Sequence, residues 1–352
     1  MDIQWLAEQA AEIDLQVKKK AMARQNELTK PPGSLGQLEH IAIRMAAMQA
    51  NEKPVLDAAR IVIFAADHGV AEEGVSAFPQ AVTQQMVRNF SSGGAAISVI
   101  ANTLNAHLEV VDVGVKEHPG ELPGVLSHRV ASGTANFCKA PAMTEHQLTQ
   151  ALHVGYDAAE RAKSAKVDIF IGGEMGIANT TSAAAMVCAV LEAAPMLVAG
   201  PGTGLDNEGV LNKAQVIQMA LKYHDGQLSE PIDVLRRVGG FEIAALTGAY
   251  LRCAQLAIPV LVDGFISSVA ALLASCICPA ARDWFWFGHL SAEPAHQMVL
   301  QALNAQPILQ LNMRLGEASG AAMALPVMRL ALDLHNKMAT FSEASVSTGE
   351  LT

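Results

Sequence analysis

The sequence predicts an α/β fold: a doubly wound, mostly parallel sheet with a small helical domain contributed by both termini. Three observations predict it. Short, continuously apolar β-rich runs recur through the middle of the 352-residue chain. Each ends at or beside an Asp or Gly and is followed, sooner or later, by an alanine-rich helical stretch, the pattern of parallel strands covered on both faces. The two ends of the chain carry helical patterns and no strand signal.

Residues 1–52 read as helical, interrupted only by Lys30-Pro31-Pro32-Gly33-Ser34. Ser34 is placed to cap a helix starting at Leu35, with Gln37 in the capping-box position. The strand candidates are 61–66 (IVIFAA), 108–113 (LEVVDV), 167–172 (VDIFIG), 259–263 (PVLVD) and, less strongly patterned, 284–287 (WFWF). A helix is expected over 182–191, and 313–339 is helical again. The expected division is a large α/β domain over 55–312 and a small helical domain from 1–54 plus 313–352.

Composition narrows the function classes. Hydrophobic residues make up 51% of the chain and charged residues 16%, against a usual quarter, which excludes disordered and coiled-coil classes. A net charge of −10 argues against nucleic acid or anionic lipid as partner. The two most apolar stretches, 183–200 and 256–281, are broken by Glu192 and Pro195, and by Pro259, Asp263, Gly264 and Pro279; neither reads as a membrane span. The N-terminus has acids first and lysines last, the reverse of a signal peptide, so a cytoplasmic protein is expected. Cys138, Cys188, Cys253, Cys276 and Cys278 lack zinc spacing and read as reduced, buried thiols.

In doubly wound sheets ligands sit beyond the carboxyl ends of the strands. Five apolar runs here lead into polar, glycine-bearing turns: Asp67-His68-Gly69, Gly114, the stretch 173–181, the stretch 200–206 after 196–199, and Asp263-Gly264. Two of these loops suit a phosphate, because glycine lets backbone N–H groups approach an anion and a helix N-terminus adds partial positive charge. One is 172–181, with Asn179, Thr180 and Thr181 opening a helix. The other is 200–204, followed by Asn207 and Lys213. Neither has Walker A or GxGxxG spacing, which weighs against an NAD-dependent oxidoreductase.

Asp67-His68 reads as a hydrogen-bonded strand end rather than a metal pair; His128 and His289 are further candidate ligands, but no metal-ligand spacing supports them. Glu317 stands among Gly316, Ala318, Ser319 and Gly320. Two readings of it stand level: a base whose pKa desolvation raises, and an acid favourable to a helix N-terminus. Glu174, between Gly173 and Met175, has the same ambiguity.

Nine segments, in order across 30–326, resemble the nicotinate-nucleotide–dimethylbenzimidazole phosphoribosyltransferase family. They are KPPGSLGQLE (30–39), FAADHGV (64–70), VTQQMVRNFSSGGAAI (82–97), GGEMGIANTTSAAAM (172–186), GTGLDNEGVLNK (202–213), RVGGFEIAALTGAYL (237–251), PVLVDGFISSVAAL (259–272), GHLSAEPAH (288–296) and MRLGEASGAAMALP (313–326). Two departures are visible: Pro201 before the GTG, and Ala318 where the family pattern has glycine.

The resemblance implies a Rossmann-like fold, a homodimer, no cofactor and no metal, and small molecules as the partners. It implies transfer of ribose 5-phosphate from nicotinate mononucleotide to 5,6-dimethylbenzimidazole, with Glu317 as general base and inversion at C1′. By position, Gly176, Asn179, Thr180, Gly202, Thr203, Gly204, Lys213 and Ser291 are implied for the phosphate and ribose, with Glu174 near the ribose or base. Pro32, Gln85, Met86, Met175 and Leu315 are implied for the aromatic pocket.

Overall fold

The computed structural model describes residues 3–202 and 204–347. Thr203, one of the expected phosphate-binding residues, lies outside the described residues. Helices α1 (Leu15–Glu27) and α2 (Gln37–Met48) precede β1 (Ala59–Ala66). Then come α3 (Ala81–Ser92), α4 (Ala96–Thr103), β2 (His107–Gly114), β3 (Val125–Ser127), α5 (Glu145–Ser164) and β4 (Ile169–Met175). After them follow α6 (Asn179–Leu191), α7 (Pro195–Val198), α8 (Asn207–Tyr223), α9 (Pro231–Val238), α10 (Phe241–Gln255) and β5 (Val260–Val262). The chain closes with α11 (Phe265–Ile277), β6 (Phe285–Phe287), α12 (His296–Ala302) and α13 (Ser319–Lys337).

The six strands form one parallel sheet in the order β3-β2-β1-β4-β5-β6. β1 is buried along its whole length, which its unbroken apolar sequence requires of a strand covered on both faces. It pairs with β2 on one side and β4 on the other, so the strand order reverses beside β1 and opens a crevice past the carboxyl ends there. The alanine- and glycine-rich helices pack unusually close. A Cβ on Gly155 of α5 would fall 1.8 Å from Ala245 O of α10, and one on Gly248 of α10 would fall 2.3 Å from Leu152 O. α13 packs against α2 and α4, joining the C-terminal helix to the N-terminal region. No helix among the described residues is long and apolar enough to cross a membrane.

Several local expectations are corrected. β3 is a strand that carries no long apolar run, so its three residues left no signal. Residues 196–199 fall in and just after the short helix α7, because Pro195 sets the helical φ of its first residue. α2 begins at Gln37, not Leu35, and Ser34 does not cap it. Instead the Glu39 carboxylate reaches back to the N–H groups of Gly33 and Leu35 and pairs with buried Lys30. β4 extends to Met175, so Glu174 and Met175 belong to the strand. Lys213 sits well inside α8 rather than before a helix. Of the five thiols, Cys188, Cys253 and Cys278 are buried, Cys138 is half-buried and Cys276 is exposed; all are unbridged.

Candidate active site

A cleft opens beyond the carboxyl ends of β4, β5 and β6. Its walls include Glu174, Met175, Gly176, Asn179 and Thr180 from the β4–α6 passage, and Asp263 after β5. His289, Ser291 and Glu293 follow β6, and Arg314, Leu315 and Gly316 precede α13.

Its first half is cationic. Lys213 is 1% exposed, and its Nζ donates to Thr180 Oγ1 at 3.1 Å and to Gly200 O at 2.9 Å. Burial pulls its pKa down to about 8, opposed by the Glu293 carboxylate. Gly202 adopts φ +54°, and a Cβ there would stand 2.9 Å from Thr180 Oγ1 and 3.2 Å from Lys213 Nζ, so glycine keeps the lysine's approach clear. Arg314 Nη1 donates to Gly202 O at 3.1 Å, tying the α7–α8 loop to the segment before α13. α6 starts at Ala178 in the left-handed region, φ +75°, and no side chain caps it. Asn179 and Thr180 of its first turn line the cleft, with the Asn179 and Thr181 N–H groups bonded to Gly176 O and Ala178 O at 3.2 and 3.0 Å.

The second half is acidic. Glu174, 6% exposed, is bonded to Asn179 Nδ2, and burial together with the nearby Glu242, Asp263 and Glu317 carboxyls pushes it up to about 8. Asp263, 1% exposed, accepts the Ala321 N–H at 2.8 Å. Burial raises it to about 7, opposed by the backbone N–H groups of Ala321, Gly320, Gly264 and Ala318. Asp263 is thus a remote cap for α13, whose own first turn has no capping side chain.

Glu317 lies in a run of three left-handed residues, Gly316 at φ +84°, Glu317 at +60° and Ala318 at +61°. It is 5% exposed; Oε2 is buried without a partner, and burial pushes the group up to about 7 against the favourable N–H of Ile97. Its neighbours Leu315 and Gly316 form the cleft wall while Glu317 itself stands just behind it.

Behind the wall, His296 accepts the Ser291 N–H on Nδ1 at 2.8 Å, and its Nε2 meets Ser268 Oγ at 2.9 Å. Burial drives its pKa down to about 3, so the ring is neutral, Nδ1 an acceptor and Nε2 the donor. His289 is likewise lowered to about 4 by burial and lies 3.7 Å from Asp263 Oδ1.

The cleft brings together Glu174, Gly176, Asn179, Thr180, Gly202, Ser291, Met175 and Leu315 in its wall, with Lys213 bonded behind Thr180. Gly204 lies outside the wall, as do Gln85, Met86 and Pro32. Gln85 is exposed and Met86 half-buried on α3, which is held to the cleft loop by the Ile177 N–H donating to Thr83 Oγ1 at 3.1 Å. Pro32 is exposed on the turn before α2.

Asp67 and His68 have structural partners: Asp67 accepts from Thr83 Oγ1 and Lys116 N, and His68 Nε2 pairs with Glu242 at 2.5 Å. His128 is exposed and outside the cleft wall. Sequence reasoning gave no role to Arg314, Glu293 or Asp263 as functional groups. Each sits in a motif already noted, but only the tertiary approach of three loops reveals it.

A parallel sheet with this strand order, and a cleft beyond its carboxyl ends lined by buried carboxyls and approached by a buried lysine, is the arrangement of an α/β enzyme with a small-molecule site. A family model described as "Phosphoribosyltransferase" matches residues 10–346. The chain is 55% identical over 347 residues to the nicotinate-nucleotide–dimethylbenzimidazole phosphoribosyltransferase of Xanthomonas euvesicatoria, covering 99% of each chain. It is equally similar, at 55% over 99% of each, to the protein of that name in Pseudomonas aeruginosa. A crystal structure of the same-named Thermus thermophilus protein superposes with a TM-score of 0.90 at 43% identity, covering 96% of this chain and 100% of that one. The chain therefore belongs to the nicotinate-nucleotide–dimethylbenzimidazole phosphoribosyltransferase family, and it is a pentosyltransferase.

Proposed function

We propose that the chain transfers the ribose 5-phosphate group of nicotinate mononucleotide to 5,6-dimethylbenzimidazole, giving α-ribazole 5′-phosphate and nicotinate. The observation that carries this reading is the placing, just behind the wall of one cleft, of a buried cation beside an uncapped helix N-terminus and of Glu317, a carboxyl whose pKa burial raises to about 7. The names of the full-length relatives support the two substrates.

The donor's phosphate binds at the cationic end. Lys213, the first turn of α6, Gly176, the backbone around 202–204 and Ser291 supply donors, and Arg314 adds a second positive charge. The ribose lies toward Glu174 and Asn179. The benzimidazole stacks on the apolar wall of Met175 and Leu315, with Gln85 and Met86 approaching from α3.

One ring nitrogen of the benzimidazole attacks C1′ while Glu317 takes the proton from the other. The C1′–N bond to nicotinate breaks with its electron pair going to the pyridinium nitrogen, which neutralises the ring without a general acid. Attack on the opposite face converts β to α. Glu317 is competent because burial has raised its pKa to about 7, so it is half ionised there and basic enough to accept the proton. A second reading has its own support: Glu174 lines the cleft directly and is raised to about 8. The terminal helices, 1–54 and 313–352, are read as a small domain, and the enzyme as a homodimer.

The test is turnover. The full chain is incubated with nicotinate mononucleotide and dimethylbenzimidazole, product is read by mass spectrometry, and the anomer is read by NMR. α-Ribazole 5′-phosphate with equimolar nicotinate is expected; a β-anomer would overturn the mechanism, and no product with any benzimidazole would overturn the function.

A further inference from the structure

Along the outer edge of β6, on residues none of which line the cleft, is a second cavity of about 270 Å³. β6 is the last strand of the sheet, so no neighbouring strand satisfies its outer edge. Two arginines take up one of its carbonyls: Arg44 Nη2 of α2 and Arg282 Nη1 both donate to Phe285 O, at 3.0 and 3.1 Å. The two guanidinium groups converge on one oxygen. Arg44 also lies over the Trp286 ring, 4.3 Å from its centroid, and Arg282 over Phe287 at 5.0 Å.

Charge balance makes this cavity unusual. Among the described residues neither arginine has a carboxylate within 4.0 Å. Asp283, the negative group that acts on both, is exposed and bonds Arg44 only through its backbone oxygen. Burial and the Arg282 charge hold Arg44 down at about 10. Arg282 also donates from Nε to Leu303 O at 2.7 Å and from Nη2 to Asn304 O at 3.1 Å, closing the carboxyl end of α12, yet a pair of half-buried like charges remains costly without a counter-charge. Only Nη2 of Arg44 is engaged, which leaves Nε and Nη1 as donors. The same wall holds Trp286, 3% exposed, whose indole N–H is buried and donates to nothing. Buried donors of this kind are nearly always paired.

The geometry points to an anion-binding site here, separate from the active cleft, that takes a small oxyanion of the phosphate or carboxylate type between Arg44 and Arg282, with the Trp286 N–H as a further donor. Arg44 Nε and Nη1 and the remaining N–H groups of Arg282 would each offer a single charge-assisted donor to the anion.

Calorimetric titration of the full chain at fixed ionic strength tests this, with inorganic phosphate in one arm and acetate in the other. Because the cleft also binds phosphate, the Lys213→Ala variant serves as background. That variant should retain one binding event, accompanied by a change in tryptophan fluorescence. Adding Arg44→Gln should weaken it at least tenfold, and adding Arg44→Lys should weaken it less. Trp286→Phe keeps both arginines and the fold, and should still weaken binding several-fold while abolishing most of the fluorescence change. The stronger arm identifies the oxyanion class. Absence of any binding of either anion in Lys213→Ala, or an affinity unmoved by Arg44→Gln and Trp286→Phe, would overturn the site.

Discussion

Two helices begin beside the cleft behind a left-handed alanine and with opposite electrostatics. α6 follows Gly176-Ile177-Ala178 and α13 follows Gly316-Glu317-Ala318, and in both the residue before the helix is an alanine in the left-handed region with no capping side chain. At α13 the protein supplies its own anion, since Asp263 accepts the Ala321 N–H. At α6 it supplies a cation instead, Lys213, held by neutral oxygens of Thr180 and Gly200. The comparison teaches where the substrate's charge belongs. A helix N-terminus already met by a carboxylate needs no ligand, whereas one flanked by a lysine that bonds neutral oxygens is where the proposed reading puts the donor's phosphate.

The largest effect should come from the α13 side. Glu317→Gln keeps shape and removes the base, so kcat should fall by roughly 10²–10⁴, the usual range for general-base removal, with KM for the nucleotide little changed. Steady-state kinetics with both substrates checks it. Lys213→Ala breaks the α6 side: losing one charged hydrogen bond of about 1.5–3 kcal/mol should lower kcat/KM for the phosphorylated donor by roughly 10–150-fold. The same variant should leave the affinity for free dimethylbenzimidazole unchanged by calorimetry.

A third prediction sharpens the contrast through stability. Glu174 has a folded pKa raised to about 8, so the folded state binds a proton that the unfolded state releases, and the protein loses stability as pH rises from about 4.5 to 8. Glu174→Gln should therefore be stabilising at pH 8, by about 1–3 kcal/mol, and neutral below pH 4.5; urea unfolding at the two pH values checks this. The smallest effect concerns the shared geometry itself. Glycine at Ala178 or Ala318 relieves a left-handed alanine but adds unfolded-state entropy, so each change should alter stability by less than about 1 kcal/mol, and by similar amounts at both sites.

Much of this was legible in the sequence. The runs 61–66 and 260–262 are continuously apolar because their strands are buried along their length, and the glycines after the strands mark a crevice of loops. Glu174 and Glu317 stood out because an acid amid glycine and alanine has few hydrating neighbours. What was hidden depends on distance rather than order. β3 is too short to show a period. The role of Asp263 at α13 joins residues 58 apart, and the Arg314 bond to Gly202 spans 112 positions. The role of Glu39 was hidden because its carboxylate reaches back over the turn to the Gly33 and Leu35 N–H groups, a contact that only the fold of that turn brings about.

The most direct test of the divided cleft is the pH dependence of kcat/KM in wild type, Glu317→Gln and Glu174→Gln. With Glu317 as base, wild type should rise through about pH 7 and fall above about pH 8 as free Lys213 loses its proton. Glu317→Gln should lose the acid limb and keep the alkaline one, and Glu174→Gln should keep both. An acid limb that survives in Glu317→Gln and disappears in Glu174→Gln would contradict it, and would move the proton transfer to β4.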